Sequence, residues 1–401
     1  MEVTYCKLID VLNDIHSGGT PSTRESSYWG GKIKWLSSGE TGQRFISDTV
    51  DKITEEGVKN SSTKLAPKGN IVIACAGQGK TRGQTSYLLD DMYINQSVIA
   101  LETNAYVLPL YLFYNLSSRY EELRGGSDAS STRGSITTTL LKKLSFKYPD
   151  LPTQQSIVDI LFGYDSLIEA NNRRIELLEQ TAQELYKEWF VRFRFPGYEN
   201  AEFEDGIPEG WKIKRMNEFC YVTDGTHDTP KPVDVGVPLV TGRCITSGFV
   251  DFDAAYNISE ADHEGIKKRS GLKSGDILFS NIGTVGNCCI VDYDREFSVK
   301  NVIIFKPETM RDTAYLYYWM TSSTMQEIFG VQTNGASQQF VGLTFMRKYK
   351  LLVPKDDILE AFADKVLPIV EQKRLLHQKN SNLAAQRDML LPRLMSGKLE
   401  V

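Results

Sequence analysis

The segment that most resembles a catalytic motif is residues 74–81, which follow an apolar run and end in Gly-Lys-Thr. Loops that bind nucleotide phosphates share this ending. However, Ala74 stands where such a loop has its first glycine, and the next residues, Arg-Gly-Gln-Thr, do not open the amphipathic helix whose N-terminus would hold a phosphate. We therefore expect no nucleotide site in this segment.

The other residue types that perform catalysis do not form a recognisable motif. The four histidines have no metal-ligand spacing, and the six cysteines include no Cys-X-X-Cys pair. There is no Gly-X-Ser-X-Gly nucleophile motif. There is also no Pro-Pro, so the Asp/Asn-Pro-Pro-aromatic motif of amino-methyltransferases is absent. We expect no catalytic residue, no metal and no cofactor in this chain.

Two polar loops in each half of the chain carry side chains that suit DNA recognition. They lie at residues 77–84 and 124–134, and again at 281–287 and 332–339. Arginine pairs with guanine, asparagine and glutamine pair with adenine, and small hydroxyl residues contact phosphate. The alternative is that these loops are ordinary turns. The predicted DNA contacts are Gln78, Lys80, Thr81, Arg82, Arg124, Ser127, Arg133, Arg243, Asn281, Thr284, Asn287, Asn334, Ser337, Gln338 and Gln339.

Length and charge restrict the class of protein. The chain has 401 residues and is 41% hydrophobic, which predicts two to four globular domains. Its net charge of -5 gives no basic excess, so we expect weak DNA affinity unless a partner adds cations. The longest apolar run, residues 105–114, is too short to span a bilayer, which takes ~20 residues. We expect a cytoplasmic protein without membrane contact.

An internal repeat of about 205 residues runs through the chain. Lys-Gly-Asn-Ile at residues 68–71 matches Ser-Gly-Asp-Ile at 274–277, and Tyr-Leu-Phe-Tyr at 111–114 matches Tyr-Leu-Tyr-Tyr at 315–318. Further matches at nearly the same offset occur in the same order. Short apolar runs between turn residues predict strands, and helical stretches interrupt them, so each copy is expected to contain an α+β globular domain.

A long helix with a heptad pattern is predicted at the end of each copy. Apolar residues recur every four and three positions from residue 157 to 189, and the pattern returns 205 residues later. Thr153 is the expected N-cap of the first helix. The predicted seam consists of Ile157, Leu161, Tyr164, Ile168, Asn171, Ile175, Leu178, Leu185, Trp189, Phe362, Val366, Ile369, Leu376, Asn380, Leu383, Leu390 and Leu394.

The two seams are expected to pair as an antiparallel coiled coil that separates two similar globular domains with pseudo-twofold symmetry. The proposed register places Asn171 opposite Asn380, which brings Trp189 near Phe362 and Ile157 near Leu394. The alternative is that each helix packs only on its own domain. The predicted boundaries are a domain at 1–150, a helix at 151–195, a linker and second domain at 196–355, and a second helix at 356–401.

Several short motifs are shared with one known family. They are Lys-Leu at 7–8, Gly-Gly-Thr-Pro at 18–21, the segments at 68–71 and 111–114, Leu-Pro-Thr-Gln-Gln-Ser-Ile at 151–157, the helical segment at 177–185, and Ile-Pro-Glu-Gly-Trp at 207–211. Through these residues the chain resembles the specificity subunits of type I restriction-modification systems over essentially its whole length. Copy two departs from the pattern at 354–357, where Pro-Lys-Asp-Asp replaces the Pro-Thr-Gln-Gln of copy one.

The resemblance implies a non-catalytic DNA-binding subunit with two target recognition domains, each reading half of a bipartite site in double-stranded DNA. It implies two modification subunits that carry S-adenosylmethionine and methylate adenine and, in complete systems, two restriction subunits that use ATP and Mg. Two rival functions remain open. One is a nucleotide- or S-adenosylmethionine-dependent enzyme that acts on its own, and the other is a scaffold that does not bind DNA.

Overall fold

The computed structural model describes residues 3–77, 79–128, 134–246, 248–333 and 340–401, without the side chains of residues 127, 128 and 333. The chain forms two compact units. Unit 1 contains Met1–Ala170 and Asn380–Val401, and unit 2 contains Asn171–Lys379. Each unit includes parts of both long helices, so this division does not test the predicted boundaries between domains and helices. Those boundaries stay a prediction.

Unit 1 is built on two mixed sheets and a separate strand pair. The strands are β1 (Thr4–Lys7), β2 (Leu12–Ser17), β3 (Trp29–Leu36), β4 (Phe45–Ile46), β5 (Lys52–Ile53), β6 (Lys64–Ala66), β7 (Ile71–Ala74), β8 (Thr85–Leu88), β9 (Met92–Ile94), β10 (Val98–Thr103) and β11 (Ser145–Tyr148). The helices are α1 (Glu55–Lys59), α2 (Pro109–Ser117), α3 (Tyr120–Asp128), α4 (Thr138–Lys143) and the first part of α5 (Leu151–Tyr186). The sheet orders are β2-β10-β7-β8-β4 and β5-β3-β9-β6, and β1 pairs with β11.

Unit 2 repeats this plan. Its strands are β12 (Phe203–Glu204), β13 (Ile207–Pro208), β14 (Lys212–Arg215), β15 (Tyr221–Asp224), β16 (Val237–Thr241), β17 (Ile245–Thr246), β18 (Phe249–Val250), β19 (Tyr256–Ile258), β20 (Ile277–Ser280), β21 (Cys288–Ile290), β22 (Ser298–Lys300), β23 (Val302–Lys306) and β24 (Lys350–Val353). Its helices are the last part of α5, α6 (Met216–Phe219), α7 (Glu260–Ser270), α8 (Met310–Thr321), α9 (Ser323–Thr333), α10 (Leu343–Lys348) and the first part of α11 (Asp356–Ser396).

The internal repeat is confirmed by the topology of the sheets. The order β15-β23-β20-β21 in unit 2 reproduces β2-β10-β7-β8 in unit 1, and the pair β14-β24 reproduces β1-β11. Strand β7 and its counterpart β20 are buried at every residue. A continuous apolar run can fill such a position, because it packs on both faces of the sheet. The α+β fold class predicted from the sequence is therefore correct.

The two long helices pair antiparallel within each unit. In unit 1 the Tyr164 hydroxyl lies 3.4 Å from the Gln386 side-chain oxygen, and the Asn380 amide donates to the Ile168 carbonyl at 3.4 Å. In unit 2 the rings of Trp189 and Phe362 lie 5.8 Å apart. Every predicted seam residue is buried or half-buried. The coiled coil predicted from the heptads is confirmed.

The register expected from the sequence agrees with the contacts inside each unit. Trp189 lies beside Phe362, and Ile157 and Leu394 belong to one apolar core. The Asn171–Asn380 pairing would join residues of different units, and it stays a prediction. The helices also pack on the domains, since Ile157 shares its core with Phe113 of α2. Because the two helices also contact each other within each unit, the alternative that each helix packs only on its own domain is wrong.

The predicted N-cap of the first helix is wrong by three residues. Helix α5 begins at Leu151, and the Asp150 carboxylate accepts a hydrogen bond from the Thr153 backbone N–H at 3.1 Å. The carboxylate is the stronger cap because it meets the positive end of the helix dipole. Hydrogen bonds from the Thr153 hydroxyl, the first cause, and from the Thr153 backbone N–H hold the pKa of Asp150 below its usual value.

Candidate nucleic-acid interface

The hairpin loop between β7 and β8 depends on glycine. Gly77, Gly79 and Gly83 have φ angles of 138°, 63° and 91°. These values lie in a region that residues with a Cβ rarely adopt, so the glycines permit a tight, compact loop. The loop closes where the Gly83 N–H donates to the Ala74 carbonyl at 2.9 Å. It then continues into strand β8 and not into a helix, so it lacks the helix N-terminus of a phosphate-binding loop.

Helix α3 holds this loop by two side chains. The Tyr120 hydroxyl donates to the Lys80 carbonyl at 2.8 Å, and the Arg124 guanidinium donates to the Gly79 carbonyl at 2.7 Å. The Arg124 guanidinium also donates to the Tyr120 oxygen at 2.7 Å and lies over its ring. The Lys80 side chain is left exposed at the tip of the hairpin. Arg124, predicted to contact DNA, therefore has an observed structural role, and its DNA contact stays a prediction.

The prediction of a loop at 124–134 is wrong for residues 124–128, which belong to helix α3 because its hydrogen-bonded turns continue through Gly125 and Gly126. The described end of that segment meets the hairpin of copy one. The Ile136 N–H donates to the Cys75 carbonyl at 2.9 Å, and the Arg82 guanidinium donates to the Gly134 carbonyl at 2.6 Å. Arg82 is buried, with 9% of its surface exposed. It therefore anchors one loop to the other in this structure, and its contact with a base stays a prediction. The half-buried Thr81 lies in the same hairpin loop.

Loss of the α3 tether is expected to loosen the hairpin without unfolding the domain. Arg124→Met removes the hydrogen bond to Gly79, and one such bond contributes about 1 kcal/mol. We expect tryptic cleavage after Lys80 to become about fivefold faster, because local opening is governed by that free energy. The measurement is limited proteolysis followed by mass spectrometry. Lys142→Met, on the exposed face of α4, is the matched control, and equal rates in both variants would contradict the tether.

Copy two brings four of its predicted residues into neighbouring segments. The Asn281 carbonyl accepts from the Val341 N–H at 3.0 Å, so the hairpin after β20 meets the segment that precedes α10. The Thr284 hydroxyl donates to the Gly242 carbonyl at 3.3 Å, beside exposed Arg243. The Asn287 amide donates to the Ile245 carbonyl at 2.8 Å. The four predicted residues of this group therefore lie in neighbouring segments.

Some predicted contacts fall on parts of the chain that the structure does not describe. Ser127 lies in α3, but its side chain is outside the part of the chain that the structure describes. Two positioning residues, Tyr120 of α3 and Gln326 of α9, gave no signal in the sequence. The Gln326 amide donates to the Gly286 carbonyl at 3.1 Å, which makes it the counterpart of the copy-one tether. Gln78, Arg133, Asn334, Ser337, Gln338 and Gln339 lie outside the described residues.

One cluster with metal-ligand chemistry occurs within the described ranges. The ligand atoms of His263, Glu264 and Glu296 lie within 4.8 Å of one another. The Lys267 ammonium lies 2.6 Å from one Glu296 oxygen and 3.7 Å from one Glu264 oxygen, so a cation of the protein already neutralises the carboxylates. The Lys267 hydrogen bond lowers the pKa of Glu296 below its usual value. The sequence pattern gave no signal for this cluster, because Glu296 is remote in the chain.

The helices that the structure describes include none with an apolar stretch long enough to cross a membrane. In both copies of this duplicated α+β fold, the hairpin after β7 or β20 accepts a hydrogen bond from the segment that precedes a short helix: the Ile136 N–H donates to the Cys75 carbonyl, and the Val341 N–H donates to the Asn281 carbonyl. A family model described as "Type I restriction modification DNA specificity domain" matches residues 2–180 and 208–384. The chain therefore belongs to the type I restriction-modification DNA specificity family.

Individual relatives agree with this assignment. The chain is 27% identical to the type I restriction enzyme MjaIX specificity subunit of Methanocaldococcus jannaschii, over 98% of this chain and 93% of that protein. It is 33% identical to the EcoR124I/EcoR124II specificity subunit of Escherichia coli, over 47% of this chain and 48% of that protein. A crystal structure of a type I system S subunit from M. genitalium has a TM-score of 0.57 at 14% identity, covering 98% of this chain and 96% of that chain, and so supports the fold.

Proposed function

We propose that this specificity subunit reads a bipartite sequence in double-stranded DNA, with one half-site for each globular domain, and is itself non-catalytic. The observation that carries the proposal is that the hairpin after β7 and its counterpart after β20 accept hydrogen bonds from equivalent segments, at Ile136 and Val341, and yet present different side chains. Copy one presents Lys80 on its hairpin, whereas copy two presents Thr284 near Arg243. Equivalent positions with different chemistry suit two readers with different sequence preferences.

Partner subunits would supply the chemistry and part of the DNA affinity. The net charge of -5 limits the number of phosphates that this chain can neutralise by itself. We propose that it acts with two modification subunits, which hold S-adenosylmethionine and methylate adenine. Restriction subunits, in systems that have them, would add ATP- and Mg-dependent cleavage. The cytoplasm is the proposed location, since the substrate is cellular DNA.

The experiment that tests the function is footprinting on DNA together with the modification subunit. Sequencing of methylated adenines in the host genome first gives the candidate target. Two protected patches separated by an unprotected spacer are expected, and absence of sequence-dependent protection would refute the proposal in favour of a scaffold. Calorimetry of the purified chain with S-adenosylmethionine and ATP tests the enzyme alternative, for which we expect no binding.

Lys80→Ala is expected to weaken binding through the copy-one half-site alone. An exposed ammonium at a hairpin tip suits a phosphate contact, and loss of one such contact reduces the salt dependence of log K by about 1. The measurement is affinity against salt concentration for the complex with modification subunits. The loss should persist when the copy-two half-site is scrambled. Lys59→Ala, at the exposed end of α1, is the control, and equal salt slopes in both variants would argue against the contact.

A further inference from the structure

A buried carboxylate of α5 meets a buried cation of α11 in unit 1. The Asp165 side chain is 4% exposed and the Arg387 side chain is 9% exposed, and the two form an ion pair. Asp165 also accepts from Arg44 at 3.2 Å and from the Tyr114 hydroxyl at 2.7 Å. Asp165 lies next to the seam residue Tyr164, and Arg387 occupies a seam position of α11.

A second ion pair, again with its acid on α5 and its cation on α11, occurs in unit 2. Glu179 of α5 pairs with Lys373 of α11, and the Lys373 side chain is 6% exposed. The two acids are 14 residues apart on α5, and the two cations are 14 residues apart on α11. Fourteen residues are two heptads, so a single antiparallel register satisfies both pairs. Both acids lie on α5, and both cations lie on α11.

The internal repeat is broken at these four positions. At the repeat offset of 205, Val370 and Ala384 of α11 correspond to the two acids of α5. Conversely, Ile168 and Ala182 of α5 correspond to Lys373 and Arg387 of α11. Each charge thus has an apolar residue at its equivalent position in the other copy. Two helices of the same type, paired in this register, would leave every one of these charges opposite an apolar residue.

We propose that these two ion pairs select the partner of each long helix: an α5 helix pairs only with an α11 helix, and not with another α5 of a second chain. A buried pair adds little net stability, because desolvation offsets the attraction, but a buried charge without its partner is strongly unfavourable. Polar seam residues fix register and partner in coiled coils by this mechanism. The apolar seam alone, which both helices share, cannot distinguish a like pair from an unlike pair.

The test uses full-length chains in which the charged pairs become apolar. Glu179→Leu and Lys373→Leu are made singly and together, and the variant D165L/R387L/E179L/K373L removes both pairs. We expect each single change to lower Tm, because it leaves a charge unpaired, and the double variant E179L/K373L to recover most of that loss. For the fourfold variant we expect native mass spectrometry to show multimers that are absent from the unmodified chain.

The control is the variant R173L/E176L, which replaces an exposed ion pair on α5, with side chains 62% and 60% exposed, by the same residue type. Multimers in the fourfold variant but not in this control support partner selection. The proposal is overturned if the fourfold variant has the same mass distribution as the unmodified chain. It is also overturned if the control forms as many multimers as the fourfold variant. If the fourfold variant fails to fold, the multimers of the double variant E179L/K373L are compared with those of the control in its place. A loss of Tm in this double variant equal to the sum of the two single losses then overturns the proposal.

Discussion

Asp165→Asn is expected to lower the free energy of unfolding of unit 1 by about 3 kcal/mol, since removing one partner of a buried ion pair costs roughly 3–5 kcal/mol. The Asp165 carboxylate forms ion pairs with Arg387 and Arg44 and also accepts a hydrogen bond from the Tyr114 hydroxyl. Asparagine keeps the size of the side chain but removes the charge, so the buried Arg387 guanidinium loses its main compensation. Burial of Tyr114, followed by its contact with Asp165, raises the pKa of that hydroxyl and keeps it a donor.

The measurement is urea unfolding of the full chain, followed by hydrogen exchange in peptides from residues 151–170. Asp159→Asn, at an exposed position of the same helix, is the matched control and should change the stability by less than about 0.5 kcal/mol. A loss in Asp165→Asn no larger than in the control would show that the four-residue cluster contributes nothing, and would contradict the prediction.

Lengthening both long helices by one heptad is expected to lengthen the preferred spacer between the two half-sites of the DNA target. The insertion sites are after Asn172 in α5 and after Lys379 in α11, between the two ion pairs on each helix. Seven helical residues add ~10.5 Å, and successive phosphates of one strand are ~3.4 Å apart along the axis, so the preferred spacer should lengthen by about 3 base pairs. Under the proposed function, neither half-site should change.

The measurement is binding to a series of duplexes whose spacers differ by single base pairs. A heptad inserted in α5 alone is the control, because it destroys the common register and should abolish binding to every spacer. An unchanged optimum in the doubly extended chain would show that the helices do not set the spacer. Insertion at residues 181–185 would be a poor choice, since Ala182 is buried in the core of unit 2 and the Gln183 amide donates to Thr321 at 2.6 Å.

Much of the fold could be predicted because it depends on periodicity, which is a local property of the chain. The apolar positions from Ile157 to Trp189 specify a helix with one buried face, and a matched pattern 205 residues later specifies its partner. The hairpin loops at 77–84 and 281–287 could be identified for the same reason, since glycine and small polar residues mark turns, whereas residues 124–128, also predicted as loop, lie in helix α3. Which loop residues face outward could not be predicted, as Arg82 shows by its burial.

The sequence by itself determined that the chain is a duplication, that each copy contains an α+β domain and a long helix, and which face of each helix is buried. Only the tertiary structure decided which side chains meet across the chain: Arg124 with the hairpin carbonyls, Asp165 with Arg387, and Glu179 with Lys373. The physical reason is the range of the interactions. Periodic burial is written in neighbouring residues, whereas hydrogen bonds and ion pairs between remote residues require atoms to lie within a few ångströms, and only folding brings them there.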